Sequence, residues 1–504
     1  GVVHQRATEK EITQLKKGAV MHRIIIITST LLAGFATLLS GQTTWHVATN
    51  GVDTNTGLDW NSPYLTISKA VGQAVGDDAI IVSNGLYETS ASIVLSKAVH
   101  LRSVNGPEVT TVKRSGAANY RLFQITGVQA SISGFTVTNG NLSSGPGAGL
   151  HMDTGVVSNC IFTGNSSTSH GGGIYCGGGV VTHCRLYGNS GNNGGGIQNT
   201  GGLISNCRIE QNTANYGGGV DMKDNAIGIY NSVICNNTAS DSAGGIYIYA
   251  NTGTVYNCQV YSNTAAGTRG GGIYVNNCAA RLENITVFGN RTEVHGSSNI
   301  NGGGGLWASC PAGQKVLIRN ALIYNNYSHE SGGGIYSYSS SIIENSTIVS
   351  NYAAYSHVDL YGGGGGLTIA NDTGTTNTIT NCIIQFNDCV TGADNWQFRK
   401  SNGNVTYTNN CMGPGANRNV FLSLPTASYG GGNFSDDPLF VNRASNDWRL
   451  QRGSPCINAG IQQDWMASAL DLDGLPRLDV INGTVDLGCY ENENVLYGTV
   501  IIIN

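Results

Sequence analysis

The chain has 504 residues, 72 of them glycine and 9 proline, a formal net charge of −5 and only 11% charged residues. Glycine stands at about twice its usual share, while 40% hydrophobic residues support a core and exclude a solvated disordered chain. The acidic balance leaves no electrostatic case for nucleic acid, and the composition speaks for strands and turns rather than helices.

In chain order, residues 1–20 read as upstream residues. They precede MHRIIIITSTLLAGFATLL at 21–39, where a Met, a basic pair and an apolar run mark an export signal over 21–41. That run is too short for a membrane span, so an exported protein of a bacterial cell is expected. Residues 42–125 read as an N-terminal cap with the first coils. Thr66 is the expected cap of a short helix, ISKAVGQAV, with Ile67, Ala70, Val71 and Ala74 on one face. The string IIVSNGLYE then opens the first coil.

Over 126–432 one unit recurs nine times, from NCIFTGN (159–165) and HCRLYGN (183–189) to NSTIVSN (345–351) and NCIIQFN (381–387). Its closing asparagines are Asn165, Asn189, Asn212, Asn237, Asn263, Asn290, Asn326, Asn351 and Asn387. They step by 24, 23, 25, 26, 27, 36, 25 and 36 residues. A glycine run with an apolar residue follows eight of the nine, as in GGGIY, GGGVD and GGGLW. Period-two alternation within each unit (Cys160 in, Ile161 out, Phe162 in, Thr163 out) makes strands, and repeats of this length make a solenoid. One strand cannot bury its inner face alone; coils stacked about 4.8 Å apart can. Glycine then supplies the sharp turns. The asparagines form a hydrogen-bonded ladder and tolerate left-handed geometry. Cys160, Cys184, Cys207, Cys258 and Cys382 share an inward position as small buried hydrophobes, mostly free thiols. Leucine-rich, calcium-binding nonapeptide and collagen repeats are each excluded by the residue that recurs. The expected fold is all-β, a parallel β-helix with a cap helix in front and an irregular capping module behind.

GGGIY alternating with FTGN and VFGN resembles the repeats of chlamydial polymorphic outer-membrane proteins and, more broadly, right-handed parallel β-helix proteins, over about 130–400. Residues 433–491 change character. DPLFVN, DWRL, SPCINAG, DGLPR and DLGCYE resemble the choice-of-anchor Q domain of bacterial surface β-helix proteins. That resemblance implies an extracellular or outer-membrane location at the cell envelope. Cys456 and Cys489 fall in two of these strings, either as a disulfide or as two small buried side chains. Asp471 and Asp473 in DLDG spell either a Ca²⁺ ligand pair or a plain turn; no other metal or cofactor is expected. Residues 492–504 are a tail where the chain is expected to be cut short.

Chemistry on such a scaffold sits on outward columns and long turns. Tyr175, Tyr247, Tyr274, Trp307 and Tyr336 follow the glycine runs; Tyr187, Tyr261, Phe288 and Tyr324 precede the asparagines. Exposed aromatic stripes suit sugar rings, while stacked aromatics also simply stabilise parallel strands. Arg185 and Arg208 share an outward position, to meet an anionic glycan or to pair with Glu210. The longest turns, after Asn290 and Asn351, gather Arg291, Glu293, His295, His357 and Asp359, with His329 and Glu330 between them and Arg269 one coil earlier. A His beside carboxylates serves as a general base and an Arg neutralises a uronate; the alternative is a solvated loop face. Two readings follow: adhesion or binding to a polysaccharide, host or matrix glycan, or cleavage of a uronate chain by a polysaccharide lyase. A monomer is expected, and no known lyase residue set carries over.

Overall fold

The computed structural model describes residues 42–250, 252–293, 301–354, 364–370, 375–390, 398–400, 404–413, 427–429, 431–479 and 483–492. His295, His357 and Asp359, like the export signal, lie outside these residues. Trp45–Asn504 forms one compact unit.

Every coil follows the same path. After the glycine run comes a strand of a 12-stranded sheet (sheet I, Ile174–Cys176 in one coil), then one of a 15-stranded sheet (sheet II, Val180–Thr182), then one of a 13-stranded sheet (sheet III, Arg185–Tyr187). The chain turns at Asn189 and enters a narrow edge ladder before the next glycine run. Strands of successive coils pair in parallel register, so Phe162 lies on Leu186 and Leu186 on Ile209. This inward column continues through Ile234, Val260, Val287, Ile323, Ile348 and Ile384, all fully buried. Burying each such side chain contributes about 1.5–3 kcal/mol.

The asparagines form the expected column. Oδ1 of Asn212 accepts from both the backbone N–H and Nδ2 of Asn189, each at 3.0 Å, and the second Nδ2 hydrogen goes to the Phe162 carbonyl at 2.9 Å. The pattern holds from Asn165 to Asn387. Left-handed geometry falls elsewhere than expected. The residue before each ladder asparagine adopts it (Gly164, Gly188, Gln211, Asn236), as does the first residue of each unit, such as Asn159 at φ 48°. The ladder asparagine is thereby freed to point inward.

The three glycines at 171–173 have different reasons. Gly171 turns the chain at φ 59°. A Cβ on Gly172 would lie 2.1 Å from the Ser190 carbonyl oxygen, and one on Gly173 2.6 Å from that of Gly196. The next coil comes too close for a side chain.

The inward cysteines do more than fill space. Each donates its thiol to the carbonyl two residues back, as Cys160 to Ser158 and Cys184 to Thr182. Ser232 and Ser346 do the same with a hydroxyl, so Cys and Ser are equivalent there, while Ile285 and Ala321 fill the same position by packing alone. All thirteen cysteines are buried and unbridged. Burial pushes the Cys176, Cys258 and Cys382 thiols up to about 12.

The front end carries a helix, Ile67–Gln73, capped by Thr66, whose hydroxyl accepts from the Lys69 N–H; Ile67, Ala70 and Ala74 face the core. Beyond Phe434 the chain turns back along the outside of sheet III. Phe440, Trp448, Leu450, Cys456, Leu487 and Cys489 cover Leu322, Val349, Ile383 and Cys411, outward residues of four successive coils. Asn320, Asn345, Asn381 and Asn409 are held in left-handed geometry at the preceding corner. Their amides donate to the carbonyls of Leu470, Asp486, Ile461 and Ala459. The segment expected as an end cap is thus clamped to the side of the solenoid. Inside it, buried Arg477 pairs with Glu491 at 3.1 Å. The disulfide alternative for Cys456 and Cys489 is not realised, both being unbridged. Asp471 adopts the plain turn. Its Oδ1 accepts from the N–H groups of Asp473 and Leu475 and its Oδ2 from the N–H of Glu491. Among the described residues no His/Cys/Asp/Glu group has a metal-holding arrangement, and no helix is long and apolar enough to cross a membrane.

Candidate functional site

Parallel register turns the two aromatic series into two columns with different fates. On sheet III, Tyr261 stacks on Phe288 at 4.7 Å and Phe288 on Tyr324 at 4.9 Å, with interplanar angles of 15° and 9°. Tyr324 then meets Trp448 of the C-terminal segment. Rings stacked along the column spend their faces on each other and present edges to solvent. This column stabilises the sheet and offers no open face to a sugar. Tyr187, on an earlier coil, lies beneath the guanidinium of Arg185 at 4.4 Å.

Arg185 and Arg208 both pair with Glu210 at 2.8 Å. Desolvation raises the Glu210 carboxyl, but the hydrogen bonds and charges of the two arginines outweigh it and hold it below its ordinary range. One carboxylate is shared by two cations, so of the two alternatives the geometry realises the pairing with Glu210.

The long-turn set is only partly visible. Arg291 and Glu293 form an exposed ion pair at 3.5 Å, and Arg291 lies 4.1 Å from the Tyr327 ring of the next coil. His329 follows on that coil, its backbone N–H donating to the Thr292 hydroxyl. Glu330 is buried and accepts from Asn301 at 3.4 Å. Arg291, Glu293 and His329 therefore occupy neighbouring positions of the edge ladder, with the Arg291 charge already engaged.

The column on sheet I runs His151, Tyr175, Gln198, Asp221, Tyr247, Tyr274, Trp307, Tyr336. Tyr175 stacks on His151 at 4.7 Å. Contrary to the expectation of exposure, Tyr274, Trp307 and Tyr336 are buried, at 4%, 3% and 0% relative exposure. Tyr274 meets Trp307 edge-on at 4.8 Å, and Trp307 stacks with Tyr336 and with Tyr338. Tyr274, Trp307 and Tyr338 form the wall of a groove of about 590 Å³, which also touches Arg269, Asn276, Ser309, Ser339 and Thr375. Arg269 lies 5.2 Å over the Trp307 ring and donates from Nη1 to the Tyr274 hydroxyl at 3.2 Å. Burial raises the Tyr274 phenol, opposed by Arg269. Asn276 donates to the Tyr247 hydroxyl at 2.8 Å. A buried aromatic wall, one guanidinium and a rim of amides and hydroxyls make a cavity of the size and mixed polarity that takes small polar ligands.

Sequence reasoning placed Tyr274, Trp307 and Arg269 but missed Tyr338, two residues past Tyr336 on the same strand path. It also missed Asp221, which sits in GGGVD at the aromatic position. Asp221 is buried with one oxygen held by Gln198 at 2.8 Å, and burial pushes its carboxyl up to about 6.

Residues 121–284 and 245–420 match the family model described as right handed beta helix region. The two matches together span more than half of the 504 residues. This chain belongs to the right-handed β-helix family. No curated protein sequence matches this β-helix significantly. Among solved structures it is similar to pectate lyase Pel9A at 15% identity, covering 90% of this chain and 98% of that one with a TM-score of 0.38. The xylose complex of XylC is similar at 10% identity, 89% and 98% coverage and a TM-score of 0.39. A rhamnogalacturonan lyase is similar at 14% identity, 84% and 95% coverage and a TM-score of 0.31. Likenesses this remote carry no argument about what this β-helix does.

Proposed function

We propose that this β-helix binds carbohydrate in the groove beside Trp307, as an exported protein of the bacterial surface that adheres to a polysaccharide or to host or matrix glycans. The groove itself carries the reading. An aromatic wall gives apolar contact to a sugar ring, and the amides and hydroxyls of Asn276, Ser309 and Ser339 match its hydroxyls. Export and display are supported by the 21–41 signal and by the likeness of 433–491 to the choice-of-anchor Q domain.

Glycan-array binding with the whole chain, followed by calorimetry on the best ligand, tests the reading. Half-buried Tyr338→Ala should weaken binding about tenfold or more while the protein still melts cooperatively. Binding that survives Tyr338→Ala and Ser339→Ala together would move the ligand away from this groove. Release of unsaturated, ultraviolet-absorbing product from pectate or alginate would replace adhesion by the lyase reading, with the His329 turn as its first place to look.

A further inference from the structure

We propose that Cys411 and Cys456 are an oxidation site, whose disulfide staples the C-terminal segment to the rear coils of the solenoid. The two residues come from opposite sides of the seam. Cys411 is an outward residue of the strand Cys411–Met412, and Cys456 lies in a turn of the segment folded over it. Both are fully buried in one apolar cluster, and their side chains are hydrogen-bonded to each other. A strap through 436–438 holds them there. Cys411 Sγ donates to the Asp436 carbonyl at 3.2 Å, and Gln385 Nε2 donates to that sulfur at 2.9 Å and to that carbonyl at 2.7 Å. The Ser454 hydroxyl donates to the Pro438 carbonyl at 2.6 Å and accepts from the Cys456 N–H at 3.1 Å.

The inward thiols touch as well, Cys184 being hydrogen-bonded to Cys160 and Cys207, but they are placed differently. They stand beside in-register parallel strands, whose spacing of about 4.8 Å keeps their β-carbons beyond the usual ~3.5–4.5 Å of a disulfide. No shared ladder sets the distance between Cys411 and Cys456, one in sheet III and the other in a turn outside every sheet. Cys489 sits elsewhere, its N–H donating to the hydroxyl of Thr347, two coils before Cys411.

Oxidation removes two protons and two electrons from the pair. The oxidant is a disulfide, carried by a protein or a small molecule of an oxidising compartment. One thiolate attacks it, forming a mixed disulfide and releasing one thiol. The second thiolate displaces the other, leaving the Cys411–Cys456 bond and a reduced dithiol. The hydrogen bond to Cys411 and burial raise the Cys456 thiol, so the docked pair is a poor nucleophile and the exchange belongs to the undocked segment. The bond then closes a loop of 45 residues (456 − 411) and restricts the freedom of the segment once it lifts.

The test produces the whole chain in the reducing cytosol and in the oxidising periplasm of a bacterial host, so the experiment itself supplies the oxidant. Alkylation in denaturant and digestion without reductant, read by mass spectrometry, should give thirteen alkylated cysteines in the cytosolic protein. The periplasmic protein should show two fewer and a linked Cys411–Cys456 peptide pair. Limited proteolysis should cut 434–492 roughly tenfold or more slowly in the periplasmic protein. Cys456→Ser should abolish both the bridge and the difference, and Cys489→Ser should leave both. Thirteen free thiols in the periplasmic protein, a bridge from Cys456 to Cys489, or a Cys411–Cys456 bridge that does not slow cleavage overturns the inference. Should Cys456→Ser fail to fold, the comparison of the two wild-type preparations decides alone.

Discussion

Replacing Asn263 by alanine tests the column on which every placement above depends. Its Oδ1 accepts from the Asn237 backbone N–H at 3.0 Å and from Asn237 Nδ2 at 2.9 Å; its Nδ2 donates to Asn290 Oδ1 at 3.0 Å and to the Ile234 carbonyl at 2.9 Å. Alanine removes all four bonds. Asn237 still donates to the Ile209 carbonyl, so two buried donors lose their acceptor: the Asn237 backbone N–H and one hydrogen of its amide. At about 1–3 kcal/mol for each buried unsatisfied group, the loss is about 4 kcal/mol. Stability in a solenoid is a sum over neighbouring coils, so the loss should be local. Urea unfolding should begin at lower denaturant, and hydrogen exchange by mass spectrometry should accelerate across 231–237 and 257–263 while the front coils keep their protection. A change below about 1 kcal/mol, with unaltered exchange in those peptides, would refute the claim that the ladder holds the coils together.

The Asp221 carboxyl, raised by burial to about 6 with Lys223 opposing and Asp224 reinforcing, gives a pH signature. Its folded value lies above its unfolded one, so its favourable share is full below about pH 4 and is lost as pH rises through about 6, a loss of about 3 kcal/mol. Asp221→Asn should flatten that fall in melting temperature; an identical slope would sink the assignment. Trp448→Ala removes a ring packed against Tyr324 and Phe440, a loss of about 3–5 kcal/mol. It should expose 434–492 to limited proteolysis while the coils stay intact, and resistance equal to wild type would show that the clamp does not depend on it. In protein kept reduced, the thirteen buried thiols should resist iodoacetamide in the native state and all react in denaturant; rapid native labelling of Cys184 or a Cys456–Cys489 bridge by mass spectrometry would contradict the packing.

How much was legible in the sequence follows from what each residue's role depends on. The cap helix needed only Thr66 and the spacing of Ile67, Ala70 and Ala74, and it is where that pattern puts it. The Cys/Ser position was legible as inward, but its hydrogen bond was not, because the accepting carbonyl is defined by backbone geometry. Tyr274 and Trp307 were legible as neighbours in one column but not as buried, since burial depends on what lies over the outer face.

By itself the sequence determined the coil: its period, its inward column from Phe162 onward and its asparagine ladder. Each of these is set by a residue repeated at the same place in every turn, and parallel register converts such repetition directly into contact. Only the tertiary structure decided which outward residues are accessible. The folding of 434–492 back over sheet III and the groove holding Arg269 arise between segments with no common period. Whether an outer side chain meets solvent, a ring face or another segment depends on shape and packing in three dimensions, and a linear recurrence carries no record of that.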